Sequence, residues 1–241
     1  MPATGRTVEV EAERLTGWVE RFGSRHGRLT AALGPTGTSA PATPAALTGS
    51  PEITIRSAQQ IVLTAADGAE ARLAVPYGQL PRLPATTGIE ALLTAVRHHL
   101  DRPRTVGVLL VRRTGWAVGV ATGGVLTAAR VGGGHVQGRT KAGGWSQQRF
   151  ARRRAQQAHQ VYERAIVAVA DVLLPHRRTM DAVLTGGDRP GVATVLADQR
   201  LTALTDLVEP RFLAVGEPTR AALDDAVRRL RAVVITLNEL A

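Results

Sequence analysis

Residues Lys141 to Gln157, KAGGWSQQRFARRRAQQ, place two glycines and a pair of glutamines directly before a cluster of arginines. The stretch has no acid, cysteine or histidine, so it lacks the usual general bases and metal ligands. A glutamine amide does not titrate near neutral pH, but it can hold a water by donating and accepting hydrogen bonds. Its backbone N–H can also stabilise a developing oxyanion. The pattern therefore favours an ester hydrolysis in which positioning matters most and another molecule supplies the rest of the site.

Two elements must position these glutamines. A glycine-rich loop, residues 132–146, precedes them, and its glycines allow close backbone approach to a partner. A long helix follows and runs to about Leu173, with a packing face of alanines and larger apolar residues at helical spacing. Ser146 is a good residue to cap this helix. We expect a reaching loop rather than a plain linker, because Gln147, Gln148 and Trp145 stand among the glycines and arginines.

The surrounding charge is strongly one-sided. The whole chain carries a formal net charge of +10, and between Asp101 and Glu163 there is no acidic residue but there are eleven basic ones. An ordinary solvated face mixes the two signs, so this run predicts phosphates nearby. The planar arginine fork suits bidentate phosphate contact. The residues expected to bind RNA are Arg139, Lys141, Arg149, Arg152, Arg153 and Arg154.

The first part of the chain reads as a small α+β amino-terminal domain, residues 1–102. A helix is predicted over Val8–Phe22, and a flexible loop over residues 33–51. Short strands are predicted at 53–55, 60–64 and 71–75, the last two joined across Asp67-Gly68. A second helix is predicted over Ile89–Leu100, before a boundary at Pro103.

A second domain is predicted over residues 103–241. Three strands at 105–112, 115–122 and 124–131 form a meander, and the glycine-rich loop and long helix follow. A strand at 182–185, a helix at 190–199, a strand at 203–208 or 212–215, and a final helix over 219–240 complete it. This order is typical of a ribonuclease H-like layout, so the expected fold class is α/β (α+β) with a mixed sheet.

These motifs resemble those of a known family. Gly144-Trp145-Ser146-Gln147 fits the Gly-x-x-Gln pattern of the Vms-type release factors, which are relatives of the catalytic domain of eukaryotic and archaeal class I release factors, where the motif is Gly-Gly-Gln. The stretch QQRFARRRAQQA and the start VEVEAERLTGWVERFGSRHG are similar to the actinobacterial branch of that family. The chain departs from the eukaryotic members because, without cysteine, it cannot form their zinc finger.

The resemblance implies peptidyl-tRNA hydrolysis on stalled large ribosomal subunits, with rRNA and peptidyl-tRNA as partners. Gln147 would position the water at the ester, and Gly143 and Gly144 would let the loop enter the peptidyl transferase centre. Gln148 stays open as the alternative catalytic amide, because Trp145-Ser146 separates the glycines from both glutamines. The arginines of the following helix would meet RNA phosphates.

Other functional classes fit the sequence less well. A ribonuclease H-type nuclease needs clustered carboxylates for two metals, and the meander and the start of the long helix have none. No Gly-x-Ser-x-Gly motif marks a serine hydrolase, and the six histidines lack metal-ligand spacing. The remaining alternative is a non-catalytic ribosome- or RNA-binding module whose loop only occupies an RNA channel.

Composition sets the remaining expectations. The absence of cysteine excludes disulfides and thiolate zinc sites, and the longest apolar runs are too short to cross a bilayer. We therefore expect a cytoplasmic monomer that needs no cofactor or metal and binds no membrane.

Overall fold

The computed structural model describes residues 5–33, 59–78, 80, 84, 87–133 and 146–241, and for residues 59 and 146–154 it describes the backbone alone. The described residues form two compact units. The first contains residues up to 102 together with residues 229–241, and the second contains residues 103–228. The carboxyl terminus therefore belongs with the amino-terminal unit, whereas the sequence placed it in the second domain.

The first unit is built on a five-stranded antiparallel sheet in the order β1-β10-β4-β3-β2. Its strands are β1 (Thr7–Val10), β2 (Leu29–Leu33), β3 (Gln59–Ala65), β4 (Glu70–Val75) and β10 (Val233–Leu237). The β3–β4 hairpin turns at Asp67-Gly68 as predicted, because Gly68 adopts a φ of 88° and the Asp67 side chain accepts from the Ala69 N–H.

Two helices, α1 (Leu15–His26) and α2 (Ile89–Asp101), supply apolar side chains to the core of the first unit. Each strand places alternate residues in this core, for example Ile61 and Leu63 on β3 and Val233 and Ile235 on β10. The α2 helix matches its prediction to within one residue. Its His99 is buried, and the ring Nε2 lies 3.0 Å from the Pro76 carbonyl oxygen.

The second unit contains a mixed five-stranded sheet in the order β7-β6-β5-β8-β9. Its strands are β5 (Thr105–Arg112), β6 (Gly115–Thr122), β7 (Val125–Gly133), β8 (Ala182–Gly187) and β9 (Val208–Leu213). The meander β5-β6-β7 is antiparallel, and β8 and β9 add in parallel to β5. The predicted α+β class and mixed sheet are confirmed.

Helices cover both faces of this sheet. One face packs against α3 (Ser146–Leu173), α4 (Arg189–Leu196) and a 3-10 segment, Gln199–Leu207. The other face meets α5 (Arg220–Arg228), since a Cβ at Gly119 would lie 3.6 Å from Leu223. Among the described residues, no helix is both long and apolar enough to pass through a bilayer.

Three predicted elements are wrong, each where local propensity yields to tertiary contacts. The helix predicted over Val8–Phe22 begins at Leu15, because residues 7–10 pair with β10 as β1 and residues 12–14 form a 3-10 turn. The strand alternative at 203–208 is largely a 3-10 segment, and β9 starts at Val208. The final helix ends at Arg228, and its predicted second half forms β10.

Candidate functional site

Strand β7 ends beside a basic turn. β5 ends at Arg112, residues Arg113 and Thr114 make the turn, and Gly115 opens β6. Gly115 pairs with Gly133, the last described residue of β7, and a Cβ at Gly115 would lie 2.9 Å from the Gly132 carbonyl oxygen. The chain therefore passes from β7 into the loop at the carboxyl end of β5.

A buried tryptophan lies at this exit. Trp116 pairs with Gly132, and its ring carbon Cζ2 is 2.4 Å from where a Cβ of residue 132 would be. The side chain is 8% exposed and belongs to the core under α3. Its Nε1 has no hydrogen-bond partner among the described residues. The exit is thus closely packed, and glycine is required at position 132.

The long helix α3 runs back toward the same end of the sheet. Near its carboxyl end, Leu173 packs against Gly107 at the start of β5. Tyr162 lies about 16 Å before Leu173 along the helix axis, at 1.5 Å per residue. It interacts with Arg113, which follows the end of β5. α3 is therefore antiparallel to β5, and its amino terminus lies toward the end where β7 enters the glycine-rich segment.

The described packing of α3 begins at Ala158. Ala158 is the first buried residue among those whose side chains are described. The helical backbone from Ser146 to Gln157 adds a length of about 18 Å ahead of it. The backbone of this segment carries Gln147 and Gln148, and also four arginines predicted to bind RNA: Arg149, Arg152, Arg153 and Arg154.

The other predicted site residues, Gly143, Gly144, Arg139 and Lys141, and Trp145 with them, lie outside the described residues. The candidate site is therefore placed by its two described ends, Gly133 and Ser146. The catalytic and RNA-binding roles of all these residues stay predictions.

The structure also brings together a group that the sequence had not. Tyr162 on α3 interacts with Arg113 and with Asp188, which follows β8. Burial of the phenol and the negative charge of Asp188 raise the pKa of Tyr162, and Arg113 opposes that change. The Tyr162 ring also packs against Gly191 of α4, where a Cβ would lie 3.1 Å from it.

Next to this group, Arg189 stacks its guanidinium over the Phe212 ring, 4.3 Å from the centroid. The sequence signal for this cluster is weak, because its members come from four separate segments. A basic dipeptide after one strand and an Asp-Arg pair after a neighbouring parallel strand could have suggested it, since such strand ends meet at one edge.

Among the described residues, no three histidine, aspartate or glutamate side chains come together as a set of metal ligands. The described end of the sheet offers arginines, a phenol and the carboxylates of Asp188 and Glu217, the second of which accepts a hydrogen bond from Thr114. The arginines are the groups there that suit an anion.

A family comparison decides the class of protein. Residues 104–236 match the model of the Actinobacteria/chloroflexi VLRF1 release factors, which is more than half of the chain. The chain belongs to this family. The VLRF1 match begins at the first strand of the second unit and runs into β10 of the first. It does not include residues 1–103, which the sequence resemblance had also covered.

Comparisons with solved structures give more distant likenesses. The crystal structure of the archaeal translation termination factor aRF1 matches with 12% identity and a TM-score of 0.42, over 74% of this chain and 51% of that one. A structure titled only as an archaeal protein matches with 14% identity and a TM-score of 0.38, over 68% and 48%. The chain thus spans about half the length of these structures. A search of curated proteins gave no match.

Proposed function

We propose that this VLRF1-family protein is a peptidyl-tRNA hydrolase that frees nascent chains from stalled large ribosomal subunits. Gln147 positions the attacking water, with Gln148 as the alternative. Gly143 and Gly144 let the loop approach the ester closely. The protein works in the cytoplasm as a monomer, without cofactor, metal or membrane, and its partners are rRNA and peptidyl-tRNA.

One observation carries the proposal: the paired glutamines lie at the start of a helix directed to the end of the sheet where the glycine-rich segment leaves. About 18 Å of helical backbone separates Ser146 from the packed residue Ala158. A neutral amide at the start of this helix suits a reaction that takes place inside a partner. Membership of a release-factor family supports the same chemistry.

The reaction requires little covalent chemistry from the protein itself. Water attacks the carbonyl carbon of the ester that joins the peptide to the terminal ribose. The carbon–oxygen bond to the ribose then breaks, the peptide leaves as a carboxylic acid, and the ribose oxygen takes up the proton. The Gln147 amide holds the water by accepting and donating hydrogen bonds, and its backbone N–H faces the developing oxyanion. Loss of one such donor costs about 3 kcal/mol of transition-state stabilisation.

The arginines contribute binding rather than catalysis. Arg139 and Lys141 in the loop, and Arg149, Arg152, Arg153 and Arg154 on α3, contact phosphates of rRNA or tRNA and hold the loop in register. Such contacts are independent of sequence and weaken steeply with salt. The positive charge of the chain supports this role, since between Asp101 and Glu163 it is not offset by any acid.

The test is single-turnover release of peptide from peptidyl-tRNA on isolated large subunits. The Gln147→Ala variant is expected to slow release by about 100-fold or more while binding to the subunit is unchanged. Gln148→Ala is measured beside it to decide between the two amides. The matched control is Gln156→Ala, an exposed glutamine on the same helix.

The outcomes separate this proposal from its rival. Unchanged release in both Gln147→Ala and Gln148→Ala would refute the role of the amide. A wild-type protein that binds the subunit but releases no peptide would favour a non-catalytic ribosome-binding module instead. Slow release in Gln156→Ala as well would point to damage of α3.

A further inference from the structure

Two arginines outside the predicted RNA-binding set follow neighbouring parallel strands of the second unit. Arg113 follows β5, and Arg189 follows β8 and opens α4. Because β5 and β8 are parallel, both residues lie at the same edge of the sheet. Both are exposed, and neither forms an ion pair within the part of the chain that the structure describes.

Each guanidinium is held in place by an uncharged group. The Arg113 side chain lies near the phenol of Tyr162, whose pKa it lowers, and Arg189 lies over Phe212, 4.3 Å from the ring centroid. A guanidinium fixed against an aromatic group loses less conformational entropy when it binds an anion. These contacts orient the two cations without neutralising them.

The position of Arg189 is unfavourable in the isolated protein. It is the first residue of α4, where the helix dipole and free N–H groups favour a negative charge. Asp188, the residue before it, offsets part of this cost. A bound anion would interact favourably with the helix end and with both arginines.

We propose that Arg113 and Arg189 bind consecutive backbone phosphates of an RNA strand that follows α3 toward the glycine-rich loop. Tyr162, which lies near Arg113, is ten residues after Arg152, or about 15 Å along the helix axis. The two arginines would thus extend the predicted RNA contacts of α3 to the edge of the sheet. The proposal rests on the proposed function for the identity of the RNA, which is rRNA or tRNA.

The chemistry favours an RNA backbone as the occupant. A planar fork matches phosphate oxygens bidentately, and 29 of the 30 basic residues of the chain are arginine. Phe212 is covered by Arg189 and cannot accept a stacked base on that face. Recognition at this edge therefore depends on phosphates and not on base identity.

The experiment compares binding to large subunits that carry peptidyl-tRNA over a series of salt concentrations. The variant is Arg113→Gln with Arg189→Gln. The matched control is Arg220→Gln with Arg228→Gln, which removes the same charge from α5, where these arginines pair with Asp224 and Asp225. The loss of two phosphate contacts is expected to lower the slope of log affinity against log salt by about 1.4 to 1.8, and the control by much less.

Two further measurements keep the result interpretable. The Arg113→Lys, Arg189→Lys variant retains both charges and is expected to keep most of the salt slope. Melting temperatures of all variants identify any loss of folding. An unchanged slope in the folded glutamine variant, or an equal loss in the α5 control, would overturn the proposal.

The result is distinguishable from failure of the hydrolase proposal. The Arg113→Gln, Arg189→Gln variant is expected to lose salt-dependent binding to the large subunit, and that loss can be measured without any release of peptide. Gln147→Ala is expected to do the opposite, binding normally with slow release. Wild-type protein without hydrolase activity would leave the binding comparison intact.

Discussion

The ring of Trp116 occupies the space that a side chain at Gly132 would need. A Cβ at residue 132 would lie 2.4 Å from Cζ2 and 2.6 Å from Cε2 of the indole. Because these two residues pair across β6 and β7 one step before the loop, the packing fixes where the glycine-rich segment leaves the sheet. The core of the second unit therefore sets the position of Gly133, the described end of the candidate site.

Substitution Gly132→Ala is therefore expected to lower the free energy of unfolding by about 1–3 kcal/mol, the usual cost of overpacking. It is also expected to slow peptide release, because the loop exit must shift. Urea unfolding and the release assay measure the two effects. The control is Gly216→Ala, where a Cβ meets nothing within 4 Å, and its change should stay within about 0.5 kcal/mol. Equal stability of the two variants would contradict the packing.

The alternation of buried and half-buried residues along β10 predicts that substitutions there will alternate in their cost to stability. Ile235 is fully buried in the core of the first unit, whereas Val234 is half-buried on the opposite face. Ile235→Ala is expected to cost about 2–5 kcal/mol and Val234→Ala clearly less, as measured by chemical unfolding. Similar losses at both positions would argue against the strand and for another structure in this segment.

Acid titration is expected to show that ionised Asp198, which caps the 3-10 segment before β9, stabilises the fold. Hydrogen bonds from the Arg200 side chain and backbone N–H lower the pKa of Asp198 to about 2. Since the folded pKa is below the unfolded value, near 3.9, this stabilisation is complete above about pH 4 and is lost as pH falls toward 2. The difference in melting temperature between wild type and Asp198→Asn should therefore shrink over that window. A difference that does not change with pH would exclude the ionised cap.

An ion pair between distant parts of the chain is expected to hold the carboxyl terminus to the first unit. Arg229 donates two hydrogen bonds to Glu9, at 2.9 and 2.6 Å, and both side chains are about 30% exposed. A double-mutant cycle to alanine should give a coupling of about 1 kcal/mol. The more exposed Arg220–Asp224 pair, measured the same way, should give about 0.3–0.5 kcal/mol. Coupling no greater than in that control would remove the proposed role of the pair.

Much of the second unit could be predicted from the sequence alone. The strands of the meander alternate with short turns, so β5 and β6 are predicted with their observed bounds. The apolar repeat of α3 likewise predicts its end at Leu173. In these elements the local pattern and the tertiary environment favour the same structure.

The carboxyl terminus shows where local patterns fail. The helix predicted over residues 219–240 includes a run of β-branched residues, Val233-Val234-Ile235-Thr236, and such residues favour a strand. The outcome depends on β1 and β4, which lie more than 150 residues earlier and offer two open strand edges. The same pairing turns Thr7–Val10 into β1.

The sequence by itself determined the chemistry to look for: a neutral amide after glycines, a field of arginine without acids, and the family resemblance that the match over 104–236 supports. The tertiary structure alone decided the grouping of Arg113, Tyr162, Asp188 and Arg189, and the return of the last strand to the first unit. The physical reason is the range of the forces involved. Residue type and helical or strand period act between near neighbours in the chain, whereas strand pairing and electrostatic contacts depend on distances that only the folded chain sets.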